Sequence, residues 1–159
     1  MLKKILLSCL ILVSNSTFAK SLALSFDDGL DLVTHPQAQH INDAILNTLK
    51  QNNVHAIIYP SLSKIGANEG LGMIKQWGEQ GHRIGNHGNL HLNLNKDDVN
   101  LSTYLADMQQ GHQAFSTLQG FVPRYRFPFL KEGNTLEKRD GIRQWIKDHH
   151  YQSGAVSID

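Results

Sequence analysis

The chain alternates between short runs of consecutive apolar residues and longer runs whose apolar positions recur every three or four residues. Leu22-Ala23-Leu24-Ser25-Phe26 predicts a compact strand that runs out at Asp27-Asp28-Gly29. From His40 to Gln51, the residues Ile41, Ala44, Ile45 and Leu49 share one helical face, and Asn52-Asn53 ends the run. Ala56-Ile57-Ile58-Tyr59 predicts a second strand, closed by Pro60. The same reading gives a helix from Gly72 to Gln80, a short strand at Arg83-Ile84-Gly85, and a long helix from Leu101 to Leu118 before Gly120. A brief strand at Tyr125-Arg126-Phe127, a helix from Leu136 to His149 and a last strand starting over Gln152 to Ile158 complete the series.

Strand, helix, strand, helix is the pattern of parallel βα units, so the expected class is α/β. No internal repeat, linker or second domain interrupts it. In such folds the loops that follow the strands converge on one mouth, where active sites are built. Asp27 and Asp28, His87 and His91, and Arg126 all fall at predicted strand ends.

The first nineteen residues stand apart. Lys3 and Lys4 precede an apolar stretch, Ile5 to Val13, too short to span a bilayer, and Thr17 and Ala19 are small residues placed for cleavage before Lys20. The segment reads as a secretory signal. A buried first helix, or a lipid anchor at Cys9 within Leu6-Leu7-Ser8-Cys9, are the alternatives. Removal of residues 1–19 would turn the formal charge from +1 to −1 and take away the single cysteine. Disulfides, thiolate metal sites and cysteine nucleophiles then drop out, and any metal must be held by His, Asp or Glu. The near-neutral charge offers no electrostatic footprint for nucleic acid or an anionic membrane. Nine histidines are more than packing requires.

Each group at the strand ends has a chemical use and a plainer alternative. Adjacent carboxylates at Asp27 and Asp28 can point different ways, one toward a metal and one free as a base, or can simply form an acidic turn. In Gly85-Asn86-His87-Gly88-Asn89-Leu90-His91, two imidazoles four apart could reach one ion from a helical turn, or form a surface pair. Arg126-Phe127-Pro128-Phe129 sets a cation among aromatic and rigid neighbours, an arrangement that alone is usually structural.

Taken together and in this order, the segments resemble the polysaccharide deacetylase family, also called the NodB homology domain or carbohydrate esterase family four. Ser25-Phe26-Asp27-Asp28-Gly29 matches its first motif, His87-Gly88-Asn89-Leu90-His91 its second, and Arg126-Phe127-Pro128-Phe129 its third. The resemblance runs from about Leu22 to Asp159 and implies a distorted, incomplete (β/α) barrel over residues 20–159. It implies a divalent metal, zinc with cobalt or nickel as substitutes, on Asp28, His87 and His91. Asp27 would be the general base, Arg126 would hold Asp27, and the backbone N–H of Phe129 would help stabilise the tetrahedral oxyanion. The implied substrate is an N-acetylated polysaccharide such as peptidoglycan, a chitin-like polymer or an exopolysaccharide, met in the periplasm or outside the cell. An O-acetyl xylan esterase is the alternative within the family.

Three departures qualify that picture. Gly88 stands where the family prefers Ser or Thr, and Leu130 follows Phe129 where Gly is common. The family also continues into an Asp-rich fourth motif and a late Leu-x-His segment that supplies the general acid, whereas this chain ends at Asp159. The expectation is therefore the N-terminal part of a catalytic domain, marginally stable and nearly inactive as written. A non-catalytic carbohydrate-binding protein, and a periplasmic protein that stores metal on the histidines, are the other readings. His149 and His150 are expected to decorate a solvated helix end.

Overall fold

The computed structural model describes residues 22–157. The expected signal segment, and the end of the last expected strand, lie outside them. Five strands, β1 (Leu24–Asp28), β2 (Ala56–Pro60), β3 (Arg83–Asn86), β4 (Phe121–Tyr125) and β5 (Gln152–Ser153), form one parallel sheet in the order of the chain. Helices α1 (Ala38–Gln51), α2 (Leu71–Glu79), α3 (Leu101–Phe115) and α4 (Leu136–Asp148) make the four crossovers.

Sequential strand order has a direct geometric consequence. Parallel crossovers are right-handed, so with no reversal of strand order every helix falls on the same side of the sheet. The sheet then curls as a barrel wall, with helices outside and a concave inner face. This is the α/β, incomplete-barrel arrangement expected from the alternating pattern.

The core lies between the sheet and the helices. Leu46 and Leu49 of α1, Ile58 of β2, Ile74 and Trp77 of α2, Ile84 of β3 and Phe115 of α3 form one buried cluster. Tyr104 and Met108 of α3, Tyr125 of β4, Ile142 of α4, and Phe127 from the segment after β4 form a second. Asn100 caps α3 by accepting the N–H of Thr103 at 2.9 Å, and Thr135 caps α4 by accepting that of Lys138 at 3.2 Å.

Two expectations need correction. The fourth strand is Phe121–Tyr125, not Tyr125–Phe127. It contains Pro123, which cannot donate to a ladder, and it is tolerated where the β3–β4 register shifts between Ile84 and Asn86. The histidine segment 87–91 is not a helical turn but irregular loop, with φ of +83° at Gly88 and +55° at His91.

Candidate active site

All six residues singled out in the sequence lie at the carboxyl ends of the strands or in the loops that follow them. Asp27 and Asp28 end β1, His87 follows β3, and Arg126 follows β4. The short 3₁₀ turn Pro128–Leu130 holds Phe129, whose ring packs 4.6 Å from that of His91.

The side-chain alternation of β1 separates its two carboxylates. Ser25 and Asp27 face the same way, and Arg126 Nη1 donates to both, to Ser25 Oγ at 3.0 Å and Asp27 Oδ1 at 2.7 Å. Phe26 faces the helices instead, with its ring 5.1 Å from Trp77. Asp28 takes a left-handed conformation, φ +68°, and Gly29 follows at +88°, so the chain swings Asp28 away toward the histidine loop. A Cβ on Gly29 would run into Ile65, which makes this exit one for glycine.

Arg126 is 5% exposed and held from four sides. Besides Ser25 and Asp27, its Nε donates to Gly154 O at 2.6 Å, and its guanidinium carbon lies 4.2 Å over the Tyr59 ring. A buried guanidinium fixed by a carboxylate, a hydroxyl, a carbonyl and an aromatic face cannot sample other positions cheaply, so the bond to Asp27 is aimed. Sequence reasoning named the Asp27–Arg126 pair but missed Ser25, Tyr59 and Gly154. The alternation of β1 was the available signal for Ser25.

Asp28, His87 and His91 converge. Each offers one ligand atom, and the three atoms lie within 4.8 Å of one another. Asp28 Oδ1 is 3.5 Å from His87 Nε2 and 3.0 Å from His91 Nε2, yet this buried oxygen accepts no hydrogen bond. His87 Nδ1 sits 2.7 Å from Arg126 O, and a carbonyl can only accept, so Nδ1 carries the proton and Nε2 presents a lone pair. Burial lowers the His87 imidazole to about 4 and also holds His91 below its ordinary value. Neutral imidazoles and an orphaned carboxylate oxygen facing one point are a donor set for a cation, and two nitrogens with one oxygen suit zinc. The bond from His87 to Arg126 O also links the convergent donors to the residue that holds Asp27.

Phe129 has φ of +57° inside the short turn Pro128–Leu130. His149 ends α4, stacked on Trp145 and bonded to Trp145 O at 2.9 Å. In a parallel βα unit the helix carboxyl end lies opposite the strand carboxyl ends, so His149 and His150 are on the far side from the site. The other residue missed is Asp107 of α3, which accepts hydrogen bonds from the backbone of Asn89 and Leu90.

Comparison with known proteins agrees with these features. A polysaccharide deacetylase family profile matches residues 14–151. The chain is 32% identical over 138 residues to a peptidoglycan-N-acetylglucosamine deacetylase of Bacillus cereus, a match covering 86% of this chain and 44% of that protein. It is 30% identical over 112 residues to a chitin deacetylase of Colletotrichum lindemuthianum, covering 68% of this chain and 41% of that one. A solved peptidoglycan N-acetylglucosamine deacetylase superposes with a TM-score of 0.64 at 26% identity, over 82% of this chain and 54% of the other. The chain thus spans less than half the length of these two relatives.

Proposed function

The chain belongs to the polysaccharide deacetylase family, and from that premise we propose that it removes N-acetyl groups from a sugar polymer outside the cytoplasm, with a divalent metal on Asp28, His87 and His91. Residues 1–19 act as the export signal in this reading, and 20–159 form the N-terminal part of the deacetylase domain. Zinc is the preferred ion, with cobalt or nickel able to replace it.

A cation held there would acidify a water molecule and polarise the acetamide carbonyl. The chain's own groups do the rest. Asp27, held through Oδ1 by Arg126, acts as the general base that takes the proton of the attacking water. Arg126 orients Asp27, being itself fixed by Ser25, Gly154 and Tyr59. The N–H of Phe129 would meet the developing negative charge on the substrate oxygen, and the Phe129 ring is exposed.

The observation that carries this reading is the pairing of two different environments for adjacent carboxylates. Asp28 faces two imidazole nitrogens without a hydrogen bond, while Asp27 is tied to a buried arginine. Storage of a metal would need the first arrangement and not the second. The test is acetate release from N-acetylglucosamine oligomers and from peptidoglycan, by metal-stripped and zinc-reconstituted protein of the full coding length. Release that depends on zinc and on Asp27 is expected. Zinc binding with no acetate from any acetylated polymer would make this a binding protein instead.

A further inference from the structure

The histidine loop leans on α3, and the group at the centre of that contact is a carboxylate the chemistry above does not use. Asp107 lies in the buried stripe of α3 with Tyr104, Met108, Gly111 and Phe115, and is 3% exposed. A carboxylate taken from water is costly unless its oxygens are hydrogen-bonded. Both of its oxygens go to the loop. Oδ2 accepts the N–H of Asn89 at 3.0 Å, and Oδ1 accepts the N–H of Leu90 at 2.6 Å. Those two amides lie between His87 and His91.

The surrounding contacts make room for this clamp. Asn86 Nδ2 donates to Met108 O at 2.9 Å, and Asn86 Oδ1 accepts the N–H of Gly88 at 2.8 Å, tying the start of the loop to the same helix. A Cβ on Gly111 would run into Asn86 Oδ1, and a Cβ on Gly88 would run into Asp107 Oδ2. Gly88 also needs a φ of +83°. A side chain at position 88 and the carboxylate of Asp107 therefore compete for one place, and here the carboxylate has it.

We propose that Asp107 is a positioning residue for the metal site, clamping the turn between His87 and His91 from α3, with Gly88 as the vacancy that admits its carboxylate. The proposal rests on the reading of Asp28, His87 and His91 as metal-holding residues. The turn it holds is a strained one, because His91 has φ of +55°, a left-handed conformation that L-residues other than glycine rarely adopt. Anchoring the two preceding amides keeps the second imidazole facing Asp28 without reorganisation when the ion arrives.

The test measures zinc affinity of the full chain by competition with a chromophoric chelator, together with thermal melting of the metal-free protein. Asp107→Asn keeps the shape but sets an amide NH₂ against a backbone N–H. It is expected to weaken zinc binding by roughly 10–100-fold, the usual effect of losing an outer-shell partner, while the metal-free protein still melts cooperatively. Gly88→Ala should weaken binding in the same direction by displacing the carboxylate. Wild-type affinity in Asp107→Asn would overturn the proposal. So would failure of that variant to fold even in excess zinc, since Asp107 would then be a general core residue. His87→Ala separates the two ideas. If it binds zinc as well as wild type, the metal reading fails. If it loses zinc while Asp107→Asn does not, only the clamp fails.

Discussion

Acidifying the metal-free protein from pH 7 to pH 4 should remove a large share of its stability through one buried imidazole. His87 is 2% exposed, and the carbonyl of Arg126 takes its Nδ1–H. Desolvation opposes a charge there and lowers the group from 6.5 to about 4. The unfolded chain therefore takes up a proton near 6.5, and the folded chain waits until about 4. Between those values the unfolded state binds more protons, so stability rises with pH. The contribution is complete above about 6.5 and is lost progressively as pH falls toward 4. At about 1.4 kcal/mol per pH unit, that gap corresponds to roughly 3 kcal/mol, a large fraction of a domain stability of about 5–15 kcal/mol. His91 and His82, both lowered by burial, act in the same direction. Asp107, raised by burial, acts in the opposite one. The assay is urea unfolding in chelator between pH 4 and 7.5, for the wild type and for His87→Gln. Gln cannot take up a proton, so the stability difference between the two proteins should change by about 3 kcal/mol across that range. A difference that stays constant with pH would refute the reasoning.

Other outcomes follow from the same geometry. Metal analysis should find one divalent ion per chain, with His87→Ala and His91→Ala both losing it, since three protein donors are the minimum for such a site. In an active full-length background, Asp27→Asn should retain zinc and lose roughly 10²–10⁴-fold in acetate release, the usual contribution of a positioned base. Retention of zinc by Asp28→Asn with its loss from Asp27→Asn would show the two roles reversed. Leu130, at φ of +55° in the turn after Pro128, should prefer replacement by glycine. Leu130→Gly is expected to raise stability by about 0.5–1 kcal/mol in thermal unfolding, the relief of left-handed strain less the added entropy of glycine in the unfolded chain.

Much of this was legible in the chain, because the alternation of apolar runs carries the class of fold and the loops after strands are where unusual residues gathered. What was not legible has identifiable physical causes. The Phe121–Tyr125 strand hides behind Pro123, because a proline in a central strand is ordinarily a contradiction and only the local register shift resolves it. The histidines at 87 and 91 have the spacing of one helical turn, and spacing alone does not distinguish that from a loop bent twice through positive φ. Asp107 left a fainter trace. It is a lone carboxylate in the apolar stripe of α3, and what it serves becomes visible only when the loop is folded against that stripe.

The adjacency of Asp27 and Asp28 shows why the local and the long-range parts of the argument need each other. Strand alternation alone would set the two side chains on opposite faces, and Gly29 lets the second turn further out of the sheet. Their different surroundings, however, come from residues about sixty and a hundred positions later. Arg126 reaches Asp27 only because sequential parallel pairing curves β1 and β4 around a shared inner face, and Gly154 meets the same guanidinium from beyond β5. His87 reaches Asp28 from the end of β3 and at the same time bonds to the backbone of Arg126. A single residue inserted in β1 before Ser25, with the start of the strand held in place, would exchange the faces of Ser25, Phe26 and both aspartates. It would set an apolar ring against Arg126 and a carboxylate against Trp77. The chemistry assigned to this site therefore depends on the register of one five-residue strand, and that register is set by the packing of the half-buried Phe26 against the helices.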